Sequence, residues 1–287
     1  MTKVVPFYSI IIPAFNEADS ISGVIKDILQ EFKGKKYEIL VVDDGSTDNT
    51  GETASHSGVI VLRHTCNQGY GASLKTGISH AKGDWVIFMD ADGQHHAQDA
   101  LKLIVASENH DMVVGQRMQF IHSPLWRMPG KWILNGMANY LTRQRIPDLN
   151  SGLRLIKRDV VLRYMTLCPN GFSFSTTITM ILFNRGYNIA YVPFEIKKRK
   201  GKSTVSLSTG FDTWLLILRI ATLIDPLRIF VPISLMIGLI GLAWGIPYAI
   251  SGHGISTGSL LAIVTAILLF SIGLISDQIS QLRLEKM

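Results

Sequence analysis

Two carboxylates stand one residue apart where an apolar run stops. Trp85-Val-Ile-Phe-Met89 reads as a buried strand, and Asp90-Ala-Asp92-Gly93-Gln94 follows at once. Side chains at i and i+2 of an extended chain point to the same side. Asp90 and Asp92 therefore present hard oxygens at one strand end, and Gly93 lets the chain turn away. Such a pair suits Mg²⁺ or Mn²⁺, which takes one or two carboxylates and leaves other positions to water and phosphate oxygens. By itself Asp-x-Asp is equally well a solvated acidic turn, so its surroundings decide.

Those surroundings are short apolar runs alternating with helical patterns. Phe7–Pro13 is expected as a strand, with the β-branched run Ile10-Ile-Ile12 stopped by Pro13. Asn16 is placed to cap the helix that follows, with Glu17 at its start. Ile21, Val24, Ile25, Ile28, Leu29 and Phe32 fall at helical spacing, and Gly34 ends the run. Tyr37–Val42 is a second strand, closed by Asp43-Asp44-Gly45-Ser46-Thr47-Asp48. Strands are also expected at Val59–Leu62, Asp84–Met89 and Met112–Val114, with helices over Gly69–Ala81 and near Ala97–Ala106. This alternation implies an α/β, doubly wound, mostly parallel sheet covered on both faces.

Ligands of such sheets bind outside the carboxyl ends of the strands. Three of these ends carry polar clusters: Pro13/Asn16/Glu17, Asp43/Asp44 and Asp90/Asp92/Gln94. Their convergence on one crevice points to a nucleotide-type ligand. A Gly-rich dinucleotide fingerprint and a Walker lysine are both missing, which disfavours a redox enzyme or a P-loop ATPase.

Composition divides the chain. It carries a net charge of +6, which suits an anionic membrane surface or a phosphorylated substrate. No nucleic-acid-binding motif accompanies that charge. From Ile229 to Ser276 there is no Asp, Glu, Lys or Arg. Ile229–Ile250 and Gly258–Ile275 are each long enough for one span, and Ser251–Thr257 supplies the turn. Both segments are apolar on every face, as a membrane hairpin requires. Arg219 and Arg228 precede it, Arg283 and Lys286 follow it, and the turn has no Lys or Arg. Positive charge stays cytoplasmic, so both termini are expected on that side. No signal peptide is expected, because the first apolar stretch, Tyr8–Ile12, is short and runs into Asn16 and Glu17. Cys66 and Cys168 are read as packing residues rather than a disulfide. Gly241-x-x-x-Gly245 suggests close helix packing and a homo-oligomer.

Taken in order, the motifs resemble a known family. Ser9-Ile-Ile-Ile-Pro-Ala-Phe-Asn-Glu17, Val41-Val-Asp-Asp-Gly-Ser-Thr-Asp48, Asn67-Gln-Gly-Tyr-Gly71 and Asp90-Ala-Asp-Gly-Gln94 are similar to family 2 glycosyltransferases of the GT-A fold. Asp148-Leu-Asn-Ser-Gly-Leu-Arg154 and the hairpin narrow this to the polyprenyl-phosphate branch, which includes dolichol-phosphate mannose synthases and undecaprenyl-phosphate glucosyltransferases. The resemblance implies a cytosolic GT-A catalytic domain over 1–207, including an interfacial helix at about 124–143. A juxtamembrane amphipathic helix (208–228), a transmembrane hairpin (229–280) and a cytoplasmic tail (281–287) would follow.

It also implies roles. Asp43 would contact the base or ribose, with Pro13, Asn16, Glu17 and Asp44 in the same donor pocket. Asp90 and Asp92 would hold the donor diphosphate through Mg²⁺ or Mn²⁺, with Gln94 as a further oxygen ligand. Lys75 is either a phosphate contact or a solvated helix lysine, and His95 and His96 are left out of the metal's ligands. On the acceptor side the cations are Arg117, Arg127, Lys131 and Arg199, the last in Lys197-Lys-Arg-Lys200, with Ser151 and Arg154 nearby. Here Gly201-Lys-Ser-Thr204 departs from the Gly-x-Ser-Lys of many relatives. Asp148 is open as base, metal neighbour or orienter. The expected reaction is metal-dependent, inverting transfer of a hexose from a UDP- or GDP-sugar to a polyprenyl (dolichyl or undecaprenyl) phosphate. The alternatives are another lipid acceptor, or a silent nucleotide-sugar-binding scaffold.

Overall fold

A computed structural model describes residues 7–118, 136, 139–141, 144–195, 219 and 222–285. The chain forms two compact units, Met1–Leu207 and Ser208–Met287.

The first unit is a seven-stranded sheet in the order β3-β2-β1-β4-β6-β5-β7. The strands are β1 (Phe7–Ala14), β2 (Lys36–Asp43), β3 (Ile60–Arg63), β4 (Trp85–Phe88), β5 (Met112–Arg117), β6 (Arg154–Lys157) and β7 (Ile189–Phe194). Its helices are α1 (Ala18–Glu31), α2 (Thr50–Ser55), α3 (Tyr70–His80), α4 (Ala97–Val105), α5 (Arg158–Tyr164) and α6 (Phe174–Asn184). β1 shows why the layers form. Alternate residues of a strand face opposite sides, so Ile10 and Ile12 join Ile21, Ile25 and Ile28 of α1 in one core. Ile11 points the other way, onto α3 at Gly77, where an added Cβ would lie 2.4 Å from it. Each of these isoleucines is at most 1% exposed, and each such burial contributes about 2 kcal/mol.

The register decides what meets at the carboxyl edge. β1 pairs in parallel with β2, bringing Ala14 opposite Asp43, and with β4, bringing Ile11 opposite Phe88. β6 runs antiparallel between β4 and β5, with Arg154 opposite both Phe88 and Val114. The residues after β4, those before β6 and the end of β5 are thereby brought to one edge. The antiparallel β6 and the outer β7 were not foreseen from the sequence pattern.

In the second unit, α7 (Leu227–Tyr248) continues through a π-helical turn, Ala249–His253, and is followed by α8 (Thr257–Glu285). Gly252 (φ 79°) and Gly254 (φ 77°) adopt the left-handed backbone that reverses the chain. Two segments, Leu227–His253 and Thr257–Arg283, are long and apolar enough to cross a bilayer, and only 11% and 17% of their apolar windows are buried. Added Cβ atoms at Gly241 and Gly245 would meet Ile263, Ala262 and Ser259, and Ser259 Oγ donates to Gly241 O at 2.8 Å. The Gly-x-x-x-Gly pair is thus engaged inside the hairpin, which removes the reason for reading a homo-oligomer from it.

Candidate active site

The β1–α1 and β2–α2 loops are laced together. Asn16 adopts φ 55°. Its backbone N–H donates to Ser46 Oγ at 3.0 Å, and its Oδ1 accepts from Thr47 N at 2.9 Å. It therefore does not cap α1, whose N-cap is Glu17. The reason is competition: the same side-chain oxygen satisfies the neighbouring turn instead. Glu17 N donates to Thr50 Oγ1 at 2.9 Å, and its carboxylate accepts from Ser20 Oγ at 2.9 Å. Pro13 lies within β1 opposite Val42, and the strand runs one residue past the expected stop, to Ala14.

Asp43 is fully buried at the end of β2. Its Oδ1 accepts from Ser46 N at 2.9 Å, and its Oδ2 lies 3.3 Å from Arg63 Nε without a hydrogen-bond partner. Asp44 accepts more hydrogen bonds than Asp43. Its Oδ1 accepts from His64 Nδ1 at 2.7 Å and Gln68 N at 2.9 Å, and its Oδ2 from Gly69 N at 2.9 Å. With both oxygens engaged, Asp44 holds the 64–69 loop. Lys75 donates to Asn170 Oδ1 at 2.7 Å, tying α3 to the loop before α6.

Asp90 and Asp92 follow β4. Gly93 (φ 71°) makes the turn, and Asp92 Oδ1 accepts from Gln94 N at 3.0 Å. The Asp92 side chain is thereby aimed by its own turn. Asp90 Oδ1 accepts from Tyr70 OH at 3.2 Å, and Oδ2 lies 3.4 Å from His95 Nε2. His95 is buried against Phe194, with ring centroids 5.1 Å apart. Burial acts to raise the Asp90 carboxyl, but the His95 contact, the Tyr70 hydroxyl and the Arg117 charge outweigh it and hold it below the usual range. Asp90 thus stays anionic at neutral pH.

Across from Asp90 sits Gly152, where an added Cβ would lie 2.2 Å from Oδ2. The missing side chain leaves a cradle that the carboxylate itself fills. Among the described residues no three His, Cys, Asp or Glu side chains gather into a closed metal cage. The Asp90 and Asp92 oxygens are donors of the kind a hard divalent cation takes, its shell completed by diphosphate and water.

Arg117 ends β5 and meets Asp148 side-on. Nε donates to Oδ2 at 2.7 Å and Nη2 to Oδ1 at 2.8 Å, and the Arg117 backbone N–H reaches Oδ2 at 3.3 Å. Burial would raise the Asp148 carboxyl, but the Arg117 bonds and charge, with the Arg117 and Asn150 amides, lower it. The same pair raises Arg117. An acid held this way is a poor proton acceptor and a good orienter of a guanidinium.

Two residues expected on the acceptor side are buried. Arg154 is fully buried on the interior strand β6. Its guanidinium donates to Ser151 O at 2.8 Å, Leu149 O at 2.9 Å and Thr179 Oγ1 of α6. It holds the loop that carries Asp148. Ser151 is also fully buried, its hydroxyl without a hydrogen-bond partner among the described residues. Arg127, Lys131 and Arg199, with the basic cluster 197–202, lie outside the described residues. So do most of the 124–143 helix and the 208–228 helix. Sequence reasoning missed Tyr70, His95 and Gly152. Tyr70 sat inside Asn67-Gln-Gly-Tyr-Gly71, a signal that was available, whereas nothing in the pattern marks Gly152 as the neighbour of Asp90.

The fold and the edge carboxylates define an α/β domain of the GT-A kind, joined to an apolar helical hairpin. Residues 9–164 match the family described as Glycosyl transferase family 2, and residues 225–282 match the GtrB C-terminal hairpin. Glycosyltransferase AglJ of Haloferax volcanii is 30% identical over 294 residues, covering 97% of this chain and 95% of that protein. The undecaprenyl-phosphate 4-deoxy-4-formamido-L-arabinose transferase of Klebsiella pneumoniae is 26% identical over 246 residues, covering 83% of this chain and 74% of its own. The UDP complex of glucosyl-3-phosphoglycerate synthase from Mycobacterium tuberculosis shares the fold, with a TM-score of 0.62 at 22% identity, over 75% of this chain and 80% of that one. The chain belongs to glycosyl transferase family 2, in the polyprenyl-phosphate glycosyltransferase branch that carries the C-terminal hairpin. It is an enzyme.

Proposed function

We propose that the protein transfers one hexose, with inversion, from a UDP- or GDP-sugar to a polyprenyl phosphate at the cytoplasmic membrane face. The observation that carries this is the pairing at one sheet edge of the Asp90/Asp92 oxygens, beside the Gly152 cradle, with the Arg117–Asp148 pair. The first recognises a cation–diphosphate, the second an anionic acceptor. Relatives named for undecaprenyl phosphate support that acceptor class, and the related fold has been crystallised with Mn²⁺ and UDP.

Asp90 and Asp92 would hold the Mg²⁺ or Mn²⁺, with Gln94 beside them. When bound, the cation supplies charge stabilisation for the departing nucleoside diphosphate. Asp43, Asn16, Glu17 and Pro13 shape the end of the crevice nearer β2, where the base would sit. Arg117 screens and aligns the acceptor phosphate, and Asp148 fixes the plane of its guanidinium. A lipid monophosphate has its second pKa at about 6 and is already largely dianionic at neutral pH. It needs alignment rather than a base, in keeping with the depressed Asp148. The Arg/Lys bias flanking the hairpin supports cytoplasmic placement of the catalytic unit and both termini.

The test uses the protein in detergent with polyprenyl phosphate, Mn²⁺ or Mg²⁺, and radiolabelled UDP- and GDP-sugars. Label should become lipid-soluble with one donor and not with Asp92→Ala. Failure of every donor, with nucleotide binding intact, would sink the acceptor assignment.

A further inference from the structure

Tyr70 is the first residue of α3, and four features fix where its ring goes. Asp44 holds the amides of Gln68 and Gly69 immediately before it. Gly69 takes φ 103°, and an added Cβ there would lie 2.6 Å from Asn170 O. At Gly71 an added Cβ would lie 2.4 Å from Pro169 O, and Ala72 N donates to Asn170 O at 3.0 Å. The ring then stacks on Phe172, with centroids 5.4 Å apart and planes 18° apart. Phe172 is 61% exposed, so the stack is no part of the deep core, and a phenylalanine at 70 would stack equally well. What the phenol adds is one hydroxyl, and it ends on Asp90 Oδ1 at 3.2 Å.

We propose that Tyr70 is a positioning residue: its hydroxyl fixes the Asp90 carboxylate in the space that Gly152 leaves, with Oδ2 turned toward His95. This rests on the reading of Asp90 and Asp92 as the cation–diphosphate site. A carboxylate turns about its last torsion with little resistance, and one oriented donor on Oδ1 removes that freedom. Hydrogen-bond partners of metal-holding side chains typically govern affinity by 10–100-fold.

The experiment titrates Mn²⁺ into the full-length protein in detergent, with UDP and in parallel with GDP, and follows bound Mn²⁺ by its electron paramagnetic resonance signal. Tyr70→Phe should raise the Mn²⁺ needed for half-maximal nucleotide-dependent binding about tenfold or more. The thermal midpoint of the nucleotide-free protein should hardly move. In an Asp90→Asn background the same change should add nothing, because the group it acts through is gone. Phe172→Ala, which loosens the ring and keeps the hydroxyl, should shift binding in the same direction by less. An unchanged Tyr70→Phe titration, with Asp92→Ala losing Mn²⁺, defeats the proposal and leaves the site reading intact. An equal Tyr70→Phe effect with and without Asp90 also defeats it. If Asp92→Ala binds like the unmodified protein, or the unmodified protein binds no Mn²⁺ with either nucleotide, the site reading falls and takes the proposal with it.

Discussion

β2 ends in Asp43-Asp44 and β4 runs out into Asp90-Ala91-Asp92, on the two parallel neighbours of β1. The Asp43-Asp44 pair is buried, and three of its four oxygens accept from His64 and from the amides of Ser46, Gln68 and Gly69. Asp90 is held by the tips of Tyr70 and His95 and looks across at a glycine; 30% of its side chain is exposed. Backbone donors turn a carboxylate into a brace for a loop. At Asp90, side-chain donors orient the carboxylate and leave part of it exposed.

The largest expected break in this comparison is Gly152→Ala. Its Cβ would lie 2.2 Å from Asp90 Oδ2, so the carboxylate must leave its cradle. We expect a loss in kcat/KM of about 10³-fold, or about 4 kcal/mol, with the fold retained by circular dichroism. Asp44→Ala should do the reverse. It strands His64 and two amides and should cost about 3 kcal/mol of stability. That is about 6–12 °C in a thermal melt, with a smaller fall in transfer than for Gly152→Ala.

Asp148→Asn keeps the shape but unpairs Arg117. We expect about a tenfold fall in kcat/KM, mainly through acceptor KM. The rise of rate through about pH 6, set by the acceptor's second ionisation, should stay where it is. A shift of that limb in the variant would restore Asp148 as a base.

The smallest effect is on acid stability. Asp90 and Asp148 are held below their ordinary values. They contribute stability above the unfolded carboxyl value of about 3.9 and lose it as pH falls through their lower folded values. Thermal midpoints should be level from about pH 5 to 8 and drop below about pH 4, and Asp148→Asn should flatten part of the drop.

Much was legible beforehand because it is carried by local pattern. Ile10-Ile-Ile12, the helical spacing of Ile21 to Ile28 and the stop at Asp90 gave β1, α1 and the edge carboxylates at nearly their observed bounds. The charge-free stretch from Ile229 gave the hairpin, since a helix must be apolar over a set length to suit a bilayer. Motif order alone pointed to family 2. The errors came where a polar side chain had a choice of partners. Asn16 had the composition of a cap and bonded Thr47 instead. Arg154, expected beside the acceptor phosphate, is buried at the start of β6, because an antiparallel strand inserted between β4 and β5 carries its side chains into the interior.

The sequence by itself determined which residue types are available: hard oxygens after an apolar strand, an arginine at the end of another, and an apolar pair of helices. Only tertiary structure decided their work. Asp90 and Gly152, like Arg117 and Asp148, are far apart in the chain and meet through sheet register. Register is a long-range property of strand pairing, set by the whole core, and no window of local sequence contains it.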